Sequence, residues 1–300
     1  MNKPVAVVTG AANGIGFAVA RDLAKTHRVA ILDIDEAAAR RAEKVIPGDT
    51  IAIRCDITDQ ESVRAAIGSV IGAFGGINVA VSNAGIGPVG ALRHLDPSVL
   101  IRVLDVNVTG NWRFIKECLP HLELTEGYVL GVSSAAAIFG PPGEGMYAAS
   151  KAGIEALLNV LRVELAETRV GVGIAYPMFI DTPMVRDADR EHPDFARVRT
   201  LLPGAAGRTF PVDLAAQRIV AGIRRRRKRI FIPGGLRIQF VLRGALSAML
   251  EPKLRQIAAE VDRLTRDKVA ARGAIDGAWT SAVREPDLGG STGNSQDGLT

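Results

Sequence analysis

Short apolar runs alternate along the chain with segments whose apolar residues recur every three to four positions. The runs at 5–8, 29–32, 51–54 and 79–82 predict buried strands. The intervening segments 15–25, 35–45 and 61–74 carry the helical period. Such alternation predicts a parallel sheet with helices on both faces. Strands that are apolar throughout suit a sheet covered on both sides.

The second half continues the pattern. Asp96-Pro97 marks a helix start, because Asp caps and Pro suits the first helical position. This helix is predicted to run through Asn107 and to stop at Pro120. Strands follow at 128–133, 172–176 and 229–233, with helices at 146–167 and 211–224. Residues 184–209 are charged and irregular and read as a mobile lid. Residues 236–250 are apolar with two arginines, and 253–272 read as a charged amphipathic helix. The Gly, Ser, Asp and Asn-rich segment 285–300 is expected to be disordered. The division is a doubly wound Rossmann-type α/β domain with seven parallel strands (1–235), a helical C-terminal extension (236–284) and a tail (285–300).

Composition sharpens this picture in three places. Apolar residues make up 47% of the 300, enough for a sizeable core. The net charge of +5 resides in one run, Arg224-Arg225-Arg226-Arg227-Lys228-Arg229. Without it the chain is close to neutral, so the charge does not point to nucleic acid. The run, followed by Ile238, Phe240, Val241 and Leu242, reads either as a solvated helix end or as a weak peripheral membrane contact. Cys55 and Cys118 make no disulfide framework, and His27, His94, His121 and His192 lack metal-like spacing, so no metal is expected. No stretch approaches the roughly 20 apolar residues of a membrane helix, and no secretory pattern opens the chain. A cytoplasmic protein is the expectation.

The candidate chemistry lies at the ends of the predicted strands. Thr9-Gly10-Ala11-Ala12-Asn13-Gly14-Ile15-Gly16 joins a strand to a helix. Glycines admit a pyrophosphate close to the backbone, and the helix N-terminus favours its charge. Alone, such a turn is equally an ordinary strand-to-helix connection. Asp33 ends the second strand, near the spacing of a ribose-binding acid. Its carboxylate accepts ribose hydroxyls and repels a 2′-phosphate, and no cation sits among Ala11, Ala12, Asn13 and Ile34, which favours NAD over NADP. Asp56-Ile57 and Asn83-Ala84-Gly85 follow the third and fourth strands, where a ligand meets an open α/β sheet. Singly they read as turn residues.

Tyr147 and Lys151 stand four apart on a predicted helix and share a face, with Ser134 thirteen residues upstream. A free phenol titrates at about 10, and an adjacent ammonium is expected to lower that. Ser134 then holds a substrate oxygen. The three form an acid/base, an electrostatic tuner and a positioner.

These residues, with Asn107 and Pro177, fall in the order and spacing of the short-chain dehydrogenase/reductase family, which the chain resembles over residues 4–233. The resemblance implies that Tyr147 is the acid/base and that Lys151 tunes it and binds the nicotinamide ribose. It implies that Ser134 orients substrate and that Asn107 holds a relay water. Gly10, Asn13, Gly14, Ile15, Gly16, Asp33, Asp56, Ile57, Asn83, Ala84, Gly85, Pro177, Ile180 and Thr182 would hold the dinucleotide. The family usually has Gly after the proline ending the sixth strand; Met178 stands there. The implied reaction is NAD-dependent interconversion of a hydrophobic secondary alcohol and its ketone. An NADP-dependent reductase and a cofactor-binding regulatory protein are the alternatives. Ile86, Pro88, Ala135, Ala136, Ile138, Phe139, Pro141 and Met184 are the expected apolar pocket. By analogy with the family a homodimer or homotetramer is expected, paired through the helices predicted around 97–121 and 146–167.

Overall fold

A computed structural model describes residues 3–191, 196, 199–200 and 207–272. Seven parallel strands form one sheet in the order β3-β2-β1-β4-β5-β6-β7. They are β1 Val5–Thr9, β2 Arg28–Asp33, β3 Thr50–Arg54, β4 Val79–Ser82, β5 Tyr128–Val132, β6 Gly171–Pro177 and β7 Arg229–Ile232. Successive side chains of a strand point to opposite faces. Val5 and Val7 therefore enter one core and Ala6 and Val8 the other. The first core packs under α3 (Gln60–Phe74), α5 (Asn111–Leu124) and α7 (Gly145–Glu164). The second packs under α1 (Gly14–Leu23), α2 (Glu36–Val45) and α9 (Val212–Arg224).

Local chemistry sets the helix starts. Asp35, Asp59 and Asp96 accept from the backbone N–H of Ala38, Glu61 and Ser98 at 2.8, 3.0 and 2.8 Å, and Pro97 opens α4 (Pro97–Leu104). Such caps occupy N–H groups that the first turn leaves without partners.

The predicted helix over 97–120 is corrected in two respects. It is interrupted by a π-helical turn at Asp105–Gly110. Pro120 also lies inside α5 rather than ending it. Pro120 is exposed, and the buried Cys118 and Leu122 on either side hold the helix to the core. Packing thus outweighs the lost N–H bond.

The segment read as irregular is in part helical, as α8 Pro183–Glu191, with Arg186–Asp181 and Arg190–Asp187 ion pairs on its surface. The rest of that proposed lid falls largely outside the described residues, as do His192, Arg197 and the tail 285–300. After α10 (Leu236–Val241), one helix, α11 (Arg243–Arg272), replaces the helix expected from 253 and passes through Pro252. It returns to the sheet unit. Ile257 and Val261 are buried in the first core, and the N–H of Ala91 donates to the Thr265 hydroxyl at 3.0 Å. Asp262 binds Arg93 and His94. Among the described residues no helix is long and apolar enough to cross a membrane.

Candidate active site

Strand order reverses between β1 and β4, and a crevice opens beyond their C-terminal ends, where open α/β sheets bind ligands. The two strand ends are tied together. The Thr9 hydroxyl accepts from the N–H of Asn83 and Ala84 at 3.0 and 3.2 Å. The Asn83 amide donates to the carbonyls of Thr9 and Gly10 at 3.0 and 3.1 Å. Gly10 and Gly14 adopt φ of +60° and +58°, where other residues are strained. A Cβ on Gly16 would stand 2.2 Å from the Gly10 carbonyl oxygen, so α1 closes directly onto the turn. Asn13 caps α1 only by its backbone position, with no side-chain hydrogen bond, and no acid sits in the first turn. The positive end of α1 therefore faces the crevice uncompensated.

The crevice holds a cavity of about 320 Å³. Gly10, Asn13, Gly14, Ile15, Asp33, Asp56, Ile57, Asn83, Ala84, Gly85, Tyr147, Lys151, Pro177 and Thr182 line it. Gly16 and Ile180 do not. Gly16 acts by close packing, and Ile180 is 2% exposed in the second core. The Asp33 carboxylate accepts from the N–H of Ala12 at 3.0 Å and of Asp35 at 3.2 Å, which fixes its direction. Burial pushes its pKa up while those N–H groups pull it down. Asp56 is turned to Thr58, whose N–H and hydroxyl donate at 2.9 and 2.6 Å. The N-terminus of α1, the glycine cradle and the oriented Asp33 fit a dinucleotide.

Tyr147 and Lys151 stand on α7 at the inner wall of the cavity. Lys151 is 3% exposed, and its ammonium donates to the Val132 carbonyl at 3.0 Å and lies 5.6 Å from the Tyr147 ring centroid. Gly85 packs against Lys151 and Asn107: a Cβ there would meet Asn107 Oδ1 at 3.0 Å and Lys151 Nζ at 3.2 Å. Ser134 and Asn107 lie behind the lining. The Ser134 hydroxyl favours the ionised form of Tyr147, and its oxygen accepts from the Ala136 N–H at 3.1 Å. Asn107 exchanges hydrogen bonds with the Ile86 backbone, both at 2.8 Å, and donates to Ser150 at 2.9 Å.

The electrostatics correct one expectation. Lys151 does not hold the phenol below its ordinary pKa. Burial pushes Tyr147 up, the nearby Glu144 adds to this, and the Ser134 hydroxyl works against it. Burial also pushes Lys151 down, to about 8. Desolvation disfavours both charged forms.

The expected apolar pocket is corrected as well. Of its residues, only Ile86 and Met184 line the cavity. The short helix α6 (Ala136–Phe139) turns Ile138 into the first core, where Ala135 is also buried, and Ala136 and Pro141 are buried as well. Val106, Arg102 and Asp105 stand at the cavity instead, brought there by α4 and the π-turn.

Sequence reading missed three groups. Asn111 donates to the carbonyls of Ala84, Val106 and Asn107 at 2.9, 3.1 and 3.2 Å and accepts from Ser82. It thereby satisfies carbonyls at the π-turn. Ser133 donates to the Lys151 carbonyl at 2.8 Å. Glu144, at the N-terminus of α7, is 8% exposed, and burial raises its carboxyl to about 7 despite the opposing charge of Arg199. Arg199 is itself buried, bonded to Asp189 at 2.7 Å and stacked on Phe179 at 4.9 Å. Only Asn111 carried a signal, as a second Asn one helical turn beyond Asn107.

Residues 4–193 match the family model described as short chain dehydrogenase. The cis-4-hydroxycyclohexanecarboxylate dehydrogenase of Sinomonas cyclohexanicum is 36% identical over 60% of this chain and 75% of its own. The 2-(R)-hydroxypropyl-CoM dehydrogenase of Xanthobacter autotrophicus is 34% identical over 61% and 76%. A Burkholderia phymatum short chain dehydrogenase/reductase, solved in complex with NAD, superimposes with a TM-score of 0.72 at 25% identity, covering 81% of this chain and 94% of that one. With the fold, the tied strand ends and the Ser134, Tyr147 and Lys151 constellation already in place, the chain belongs to the short-chain dehydrogenase/reductase family and is an NAD(P)-dependent oxidoreductase acting on CH–OH groups.

Proposed function

We propose that the protein interconverts a hydrophobic secondary alcohol and its ketone with NAD, using Tyr147 as acid/base. The observation that carries this reading is the single cavity wall that holds Tyr147 and Lys151 opposite the glycine turn and Asp33. Gly10, Gly14 and Asp33 would hold the dinucleotide, which when bound would supply hydride transfer at the carbinol carbon.

The chain's own residues handle the proton and the oxygen. Ser134 and the Tyr147 hydroxyl converge where the substrate oxygen sits. With its pKa raised by burial, Tyr147 holds its proton and is set to donate it to a ketone oxygen. In the oxidative direction Tyr147 takes the alcohol proton as the phenolate, the form that the Ser134 hydroxyl favours. Asn107 pins the backbone at Ile86, beside Gly85 and under Lys151, and is proposed to hold the relay water of the family. Ile86, Val106 and Met184 supply apolar contact with the substrate. Asp33 selects NAD by accepting ribose hydroxyls and repelling a 2′-phosphate. The exposed Leu157, Val160 and Val163 on α7 support a homo-oligomer paired through that helix.

Calorimetric titration with NAD(H) and NADP(H) tests the cofactor reading. NAD should bind to wild type and weaken roughly 10- to 100-fold in Asp33→Ala, since a hydrogen bond to a charged group contributes about 1.5–3 kcal/mol. Preference of wild type for NADP would place a ketone reductase first instead. Tyr147→Phe should lose about 10²–10⁴ in turnover while keeping cofactor affinity; undiminished turnover would refute the mechanism.

A further inference from the structure

The basic run and the residues of α10 are not used by the active site. The structure divides them into an inner and an outer set. Phe240 faces inward and packs between Tyr176 and Phe231, with both ring centroids 5.4 Å away, and Leu236 is fully buried beside this cluster. Arg226 is exposed but tied down, donating to the carbonyls of Glu126, Gly127 and Arg169. These contacts fix α10 and the start of β7 as a rigid edge.

The outer set is apolar and cationic. Ile238, Val241 and Leu242 are 67%, 73% and 49% exposed, at i, i+3 and i+4 on one helical face. Met249, on α11, is 75% exposed. The cations adjoin it directly. The guanidiniums of Arg229 and Arg243 each stack on the Phe240 ring at 5.0 Å, so the run ending at Arg229 abuts the last turn of α10. Arg224, Arg225, Arg227, Lys228 and Arg237 are exposed and, among the described residues, form no ion pair.

We propose that this edge, the outer face of α10 with the Arg224–Lys228 run, docks on an anionic lipid bilayer. Exposed aliphatic side chains rimmed by unpaired cations match a surface whose headgroups are negative and whose interior is apolar. A second copy of the chain fits less well, because a two-fold interface on this edge would set one cationic run against the other. Among the described residues no helix is long and apolar enough to cross a bilayer, so the docking is peripheral. The inference is independent of the substrate and of the dehydrogenase mechanism.

The test uses the full chain with vesicles of phosphatidylcholine alone and of phosphatidylcholine mixed with phosphatidylserine. Cosedimentation is expected only with the mixed vesicles and is expected to fall as salt is raised. Arg224→Glu with Arg225→Glu should weaken it by at least about tenfold, given the contribution of each basic residue near an anionic surface. Val241→Ser with Leu242→Ser should weaken it separately. All four positions are exposed, so circular dichroism and light scattering should show unchanged fold and mass. Equal binding to both vesicle types, no binding to either, or binding insensitive to the arginine variants would overturn the proposal. A change of oligomeric mass in those variants would instead assign the face to contact between copies.

Discussion

Replacing Glu144 by Gln offers a quantitative probe of the active-site interior. Burial raises this carboxyl from 4.5 to about 7 in the folded chain. In the unfolded chain it titrates in the ordinary range. Below that range both states hold the proton, and Glu144 contributes no pH dependence. As pH rises from 4.5 towards 7, the unfolded chain releases the proton first, so stability falls. Above 7 both are ionised and the penalty is constant. A shift of this size corresponds to about 3 kcal/mol at pH 8 and under about 1 kcal/mol at pH 5. Gln keeps the shape and removes the titration. The difference between variant and wild type should therefore grow in favour of Glu144→Gln as pH rises, by about 2–3 kcal/mol between pH 5 and pH 8. Urea unfolding monitored at both pH values reads this as a relative midpoint shift on the order of 1 M. Parallel stability profiles, or a wild type that gains on the variant as pH rises, would refute the argument. Ionised Glu144 also raises the Tyr147 phenol. The variant should accordingly begin alcohol oxidation at a lower pH.

Two further outcomes follow from the geometry. Gly16→Ala places a Cβ 2.2 Å from the Gly10 carbonyl oxygen and 2.6 Å from Asn83 Nδ2. It should cost about 1–3 kcal/mol, read in thermal unfolding, and weaken dinucleotide binding; wild-type behaviour in both would show that the turn relaxes freely. Lys151, lowered to about 8 by burial, should titrate near that pH in ¹⁵N-lysine NMR of the cofactor-free protein. A midpoint at or above 10 would mean that water reaches the ammonium.

Much of the fold was legible because its signals are local. Strands β1 to β7 are short apolar runs, and Asp35, Asp59 and Asp96 cap helices at the positions their sequence context implies. The helix boundaries that went astray were settled by burial. Pro120 is a poor helix residue held in place by Cys118 and Leu122, and the π-turn at Asp105–Gly110 exists where Asn111 can reach the carbonyls of Val106 and Asn107. The apolar pocket failed for the same kind of reason: apolar character does not distinguish Ile138, which enters the core, from Ile86, which reaches the cavity.

The sequence by itself determined the doubly wound α/β class, the glycine turn, Asp33 and the Tyr147–Lys151 spacing. Each rests on a period of two, four or about twenty residues along one chain. Only the tertiary structure decided the charge states. The pKa values of Tyr147, Lys151 and Glu144 depend on how much water the surrounding elements exclude, and the elements that exclude it come from distant parts of the chain. Likewise, it was packing that turned Phe240 inward and left Ile238, Val241 and the cations facing solvent.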